Sequence, residues 1–208
     1  MNIIEPFFII ESEIDGDKIL KKIEKAGRTA YKSEDKITKN SSKKFISLIN
    51  KLGHYSVIEH QSITVRIICD RGISHEIVRH RLASYTQEST RYCNYSLGKF
   101  GNELTVIRPF FWDEKDEKYI IWKETIEKIE NSYNQLIKLG ATPQEARSLL
   151  PNSLKTEIVI TMNLREWKHF FTLRTSEDAH PQMREIVIPL LKEFKKRIPI
   201  IFDDIIYN

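Results

Sequence analysis

The apolar residues of this chain come in short runs, and the longest unbroken ones, such as Phe7–Ile10, hold about four residues. No bilayer-spanning helix fits, since one needs about 20. The hydrophobic surface must be assembled from one-sided helices and short strands, and the sequence supplies both. Residues 15–26 place Ile19, Leu20 and Ile23 on one helical face with Lys opposite. Residues 34–52 predict a second helix, with Ser42, Phe45, Leu48 and Ile49 inward and Gly53 as its stop. Residues 62–69 alternate Ile63, Val65 and Ile67 against Thr64, Arg66 and Ile68, a strand pattern. Asp70-Arg71-Gly72 turns the chain, and residues 73–83 read as a short helix with Ser74 as N-cap. A short strand is expected at 104–107 and a long helix at 113–139, closed by Gly140. Thr142 and Pro143 open a short helix to about Leu150. A buried strand follows at 155–161, then a helix from Asn163 to about Thr175 and a last one from Pro181.

Strands and helices are interspersed without a regular βαβ rhythm. The expected class is α/β (α+β): a small, mostly antiparallel sheet flanked by helices, in a single domain over 1–208. At this length folding hides roughly 70% of the extended chain's surface, enough for a real core. The start, Met1-Asn2-Ile3-Ile4-Glu5, lacks a signal peptide's basic and apolar regions. Cys69 and Cys93 are too few for a disulfide framework or a zinc site. A reducing cytoplasm and no bound metal are therefore expected.

Net charge is only +4, too small to imply nucleic-acid binding by itself. The distribution of bases says more. Lys outnumbers Arg, 21 to 12, yet no Lys occurs between Leu52 and Gly98, where Arg66, Arg71, Arg79, Arg81 and Arg91 all stand. Solubility would accept either base, whereas a planar, permanently charged fork suits phosphate or carboxylate. Chance combined with structural ion pairs is the competing explanation.

The densest polar stretch lies inside this block. Arg79-His80-Arg81 sits near the expected helix end, where neighbours are 100° apart, so at least one must point inward or at a partner. After Ala83 comes an expected loop of Ser, Thr, Gln and Glu, then Arg91. Such a loop offers hydroxyls and backbone N–H groups to a phosphate. Arg79 and Arg81 could instead pair with Glu59, Glu76 or Glu88. Ser89 and Cys93 are the nucleophile candidates, with His75 and His80 the nearby bases, but no activated-nucleophile spacing is present.

The string Arg79-His80-Arg81, seven residues 82–88, then Ser89 and Arg91, resembles the R-H-R-x7-S-x-R signature of flavin-dependent thymidylate synthases. His54-Tyr55-Ser56-Val57-Ile58-Glu59-His60, Glu145-Ala146-Arg147 with Leu150-Pro151, and Asn163-Leu164-Arg165 through Leu173-Arg174 resemble further segments of that family, in its order. The resemblance covers about residues 50–200. It implies reductive methylation of dUMP to dTMP with FAD, NADPH and methylenetetrahydrofolate, in a homotetramer with shared active sites. It implies FAD contacts for Ser56, Arg79, His80, Arg81, Gln87, Asn163, Leu164, Arg165 and His169. Around dUMP it implies Glu76, Arg79, Gln87, Glu88, Ser89, Thr90, Arg91 and Arg147, with Arg174 stabilising the ionised uracil. Glu76, Thr86 and His180-Pro181-Gln182 depart from the commoner family residues.

The Arg excess and the two phosphate-bearing ligands agree. Asn163 would place free N–H groups at a helix start, and Arg165 and His169 share a face at i and i+4. Two other readings remain at this level. An RNA-binding module could use the Arg79–Arg91 block with Tyr85, Tyr92 and Tyr95, and a thiol-dependent methyltransferase could use Cys93.

Overall fold

The computed structural model describes residues 1–96 and 103–207. Its elements run β1 (Asn2–Ile4), β2 (Phe7–Ile10), α1 (Gly16–Arg28), α2 (Ser41–Leu52), β3 (Ser62–Asp70), α3 (Arg71–Ile77), β4 (Ala83–Gln87), β5 (Thr105–Ile107), α4 (Glu117–Lys138), α5 (Pro143–Ala146), β6 (Lys155–Asn163), α6 (Leu164–Arg174) and α7 (Pro181–Arg197). The class is the expected one. A four-stranded antiparallel sheet has the order β2-β3-β6-β4, and β1 pairs with β5 in parallel. The chain forms two compact units. The first holds Met1–Phe7, Ile67–Arg79 and Thr86–Ile158, and the second Phe8–Arg66, His80–Tyr85 and Val159–Asn208.

In the second unit the core is aromatic. Asn163 ends β6 and accepts from Glu166 N at 2.9 Å, which starts α6. The turn spacing of α6 then puts Trp167, Phe170 and Phe171 on one face, all fully buried. They meet Phe194 of α7 and Phe202, with ring centroids 5.0–5.6 Å apart between Phe171, Phe194, Phe202 and Trp167. Trp167 Nε1 donates to Ile63 O of β3 at 3.0 Å, so its one polar atom is satisfied. Glu24 of α1, only 1% exposed, accepts from Arg28 and from Ser41 at the start of α2, joining the two helices.

In the first unit Tyr95, Leu104, Tyr133, Ala146 and Leu154 form a separate cluster, with Cys93 packed against it. The capping box is complete: Thr142 Oγ1 accepts from Glu145 N, and the Glu145 carboxylate accepts from Thr142 N.

Three sequence expectations need correction. The helix expected over 34–52 is a single 3-10 turn at Glu34–Lys36 and a separate α2 from Ser41. The Ser41 hydroxyl accepts from Thr38 N and donates to Thr38 O, which closes a turn where the helix was expected to run through. Ile46 is buried in place of Leu48, which is 53% exposed, because the inward stripe runs Ser42, Ile46, Ile49 at i, i+4 and i+7 and Leu48 stands about 100° off it. The helix expected over 73–83 begins earlier, at Arg71, capped by Asp70 Oδ1 rather than Ser74, and ends at Ile77. Arg79-His80-Arg81 therefore lies beyond the helix. The loop expected after Ala83 is strand β4, recruited to the sheet edge beside β6. Its polar alternation is that of an edge strand with one solvated face.

Candidate active site

The sequence-predicted site residues fall into two groups, one in each unit. In the second unit a cleft of about 1220 Å³ is lined by Arg81, Asn163, Arg165, His169, Lys168, Tyr55, Glu59, Leu82, Ala83 and Ile205, among others. Strand β6 delivers Asn163, and the first turns of α6 deliver Arg165, Lys168 and His169. The entry to β4 delivers Arg81 to Ser84. Arg165 is paired with Glu59 at 2.6 Å. Lys168 donates to Ile201 O at 2.8 Å and to Asp204, and lies 5.3 Å from the centre of the Tyr55 ring. The cleft thus joins charged side chains of both signs, Arg81, Arg165 and Lys168 with Glu59, Glu166 and Asp204, to apolar and aromatic wall, which suits a ligand carrying both polar groups and flat rings.

Beside the cleft His80 is 6% exposed and Glu166 7% exposed. Arg174 Nε donates to His80 Nε2 at 3.0 Å. His80 Nδ1 lies 3.4 Å from Glu166 Oε1. Tyr85 donates its hydroxyl to His80 O at 2.5 Å, holding the backbone of the turn. The His80 and His169 rings meet edge-on at 5.7 Å, and the His80 and Phe170 rings at 4.9 Å. Burial, with the Arg174 and His169 charges, pushes His80 down to about 4. Burial pushes the Glu166 carboxyl up, and the Tyr85 phenol up to about 12.

The member of Arg79-His80-Arg81 that turns inward is the histidine; both arginines are exposed. Ser56 is exposed on the 3-10 turn Tyr55–His60, whose Tyr55 and Glu59 line the cleft. Leu164 is fully buried, its backbone N donating to Gln61 O at 2.9 Å. The Asn163 side chain is engaged as the cap of α6. Lys168, Glu166, Tyr55, Glu59 and the wall from Asp204 to Ile206 carry no site role from the sequence, which offers Glu59 only as a pairing partner for Arg79 or Arg81 where the structure pairs it with Arg165. The first four lie inside the quoted motif strings and were open to a residue-by-residue reading. The C-terminal wall carries no local signal.

In the first unit the nucleotide-assigned residues cluster along the end of β4 and the turn after it. Gln87 donates to Ser74 Oγ at 2.8 Å and Thr156 Oγ1 at 3.1 Å, both on fully buried residues. Glu88 accepts from Lys155 Nζ at 2.9 Å and from the Tyr95 hydroxyl at 3.0 Å. The Lys155 ammonium, held by Glu157 and Glu88, is shifted up despite its burial. Ser89 Oγ accepts from Arg91 N at 3.3 Å, and Arg91 Nε donates to Gln144 of α5 at 3.0 Å. Arg147 follows in the 3-10 turn Arg147–Leu149 and is exposed, as are Arg79 and Arg91. Thr90 is 7% exposed and Glu76 half-buried. Among the described residues no group of three or more His, Cys, Asp or Glu is placed to hold a metal ion.

An α/β fold with a charged, partly aromatic cleft and a polar strand-and-turn carrying exposed guanidiniums has the features of a small-molecule site. The family described as "Thymidylate synthase complementing protein" matches residues 14–200. The flavin-dependent thymidylate synthase of Pyrococcus furiosus is 38% identical over 172 residues, 82% of this chain and 70% of that protein. That of Geobacter sulfurreducens is 33% identical over 186 residues, 86% and 78% of the two chains. Among solved structures, the UMP/dUMP methylase PolB of Streptomyces cacaoi bound with 5-Br dUMP superposes with a TM-score of 0.78 at 20% identity, covering 98% of this chain and 96% of that one. The chain belongs to the flavin-dependent thymidylate synthase family.

Proposed function

We propose that this chain methylates dUMP reductively to dTMP, with FAD as cofactor, methylenetetrahydrofolate as carbon donor and NADPH as reductant. The observation that carries the reading is the cleft of the second unit. Arg81, Asn163, Arg165 and His169, assigned to the flavin by motif position, line it together from two separate stretches of sequence, the entry to β4 and the β6–α6 junction. Arg81 and Arg165 would meet the phosphates, with Tyr55, Leu82 and Ile205 offering apolar wall to the ring systems. FAD, when bound, supplies the hydride chemistry, while the protein orients and polarises.

The nucleotide falls to Gln87, Glu88, Ser89, Arg91 and Arg147. Gln87 and Glu88 are already oriented by Ser74, Thr156, Lys155 and Tyr95, so little side-chain freedom is lost on binding. Arg91 and Arg147 are exposed guanidiniums suited to a 5′-phosphate. Arg174 would stabilise negative charge developing on the pyrimidine carbonyl, a donor effect worth ~3–4 kcal/mol. No enzyme nucleophile is required. Ser89 already accepts from Arg91 N, and Cys93 is packed against the Tyr95 cluster, which disfavours the thiol-dependent alternative. The RNA-binding alternative keeps only Tyr92 of its three stacking tyrosines exposed. Tyr95 is 6% exposed with its hydroxyl on Glu88, and Tyr85 is half-buried with its hydroxyl on His80.

A homotetramer with shared sites, acting in the cytoplasm, completes the proposal. Exposed Phe110, Phe111, Ile120 and Ile121 support assembly: they are 42–64% exposed, with Phe110 and Phe111 stacked at 4.8 Å. Purified protein should be yellow, with flavin absorbance near ~450 nm, and should oxidise NADPH faster when dUMP is added. Colourless protein that cannot be reconstituted with FAD would overturn the reading.

A further inference from the structure

We propose that Glu166 is a positioning residue: it holds the His80 imidazole as the Nδ1–H tautomer, so that Nε2 remains an acceptor and fixes the direction of the Arg174 guanidinium. The inference rests on the reading of Arg174 as the group that polarises the pyrimidine.

A guanidinium has donors only, so the 3.0 Å contact from Arg174 Nε requires a lone pair on His80 Nε2. The single proton of the neutral imidazole must then sit on Nδ1, the atom 3.4 Å from Glu166 Oε1. Glu166 lies in the first turn of α6 and Arg174 in its last, and His80 spans them from the turn before β4. The groups facing His80 are Glu166, His169 and Arg174 on α6 and Tyr85 on β4, and Tyr85 fixes the His80 carbonyl. Burial and the Arg174 guanidinium oppose a second proton on the ring, in keeping with the depressed basicity of His80. With an apolar residue at 166, Nδ1–H would lose its carboxylate neighbour. A shift of the proton to Nε2 would set two N–H groups head to head and turn the guanidinium away.

The test is 15N NMR of the imidazole nitrogens in FAD-loaded protein, free of dUMP and folate, with His80 assigned by loss of its signals in H80Q. In the wild type, His80 is expected as the neutral Nδ1–H tautomer from pH 8 down to about 5.5, given a basicity depressed to about 4. E166Q, which keeps a carbonyl acceptor, should retain that signature. E166L should lose it and lower kcat about tenfold or more, the scale of misdirecting a polarising donor, with KM for dUMP nearly unchanged. A cationic or Nε2–H His80 in the wild type overturns the proposal even if E166L does not fold. So does E166L that keeps both the wild-type tautomer and wild-type kcat. The spectrum is read without turnover, so a wild type that makes no dTMP would count against the functional reading alone.

Discussion

At the scale of single residues, the proposed chemistry rests on guanidiniums whose direction is set by neighbours. Arg174 Nε is directed at His80 and Arg91 Nε at Gln144. Arg174→Ala is expected to lower turnover ~100-fold or more, as removal of an oxyanion-hole donor does, while visible absorbance shows FAD still bound. Full turnover would remove Arg174 from the polarising role. Arg91→Ala should weaken dUMP more than uridine, because only the nucleotide carries the phosphate that a fork-shaped cation grips. Equal losses for the two ligands, measured by calorimetry, would place Arg91 away from the phosphate.

At the scale of elements, close approaches leave little tolerance. Gly16 begins α1 where any Cβ would stand 2.2 Å from Arg197 O at the end of α7, and backbone cannot yield as a side chain tip can. Gly16→Ala should cost on the order of 1–3 kcal/mol, the range for overpacking, as a lowered denaturation midpoint. The isolated Thr142 capping box is milder: Thr142→Ala should cost about 1 kcal/mol, a typical N-cap loss, and leave flavin binding untouched. Caps and stops such as Gly53, Gly140, Thr142 and Asn163 were legible in sequence because they act within one helical turn. The ends of α2 and α3 were not. A Ser41 turn and an Asp70 cap compete with an unbroken apolar periodicity, and periodicity alone does not weigh that competition.

At the scale of the molecule, the buried histidine couples folding to pH. The folded-state basicity of His80 lies near 4, below the ordinary value of 6.5, so between these limits the unfolded chain binds the extra proton. Stability from this site is present above about pH 6.5 and is lost as pH falls toward 4. Urea midpoints should therefore drop across that window more in the wild type than in His80→Gln. Parallel slopes would show that another group carries the dependence. The aromatic core of the second unit sets a larger energy scale. Trp167→Ala should cost ~3–5 kcal/mol and unfold the face of α6 that carries Arg165 and His169.

The sequence by itself determined the class of fold, the stops of α2 and α4 at Gly53 and Gly140, the N-caps of α5 and α6, and the motif residues that mark a flavin and nucleotide enzyme. These are signals written within a few residues of one another, where backbone geometry and side-chain reach leave few choices. Tertiary structure alone decided that Ala83–Gln87 becomes a strand, since its pairing partner lies in β6, far along the chain. It alone decided that the C-terminal segment walls the cleft, and that His80 rather than either flanking arginine turns inward between Glu166 and Arg174. Burial and hydrogen-bond satisfaction are properties of the folded chain as a whole, and no local window of sequence contains them.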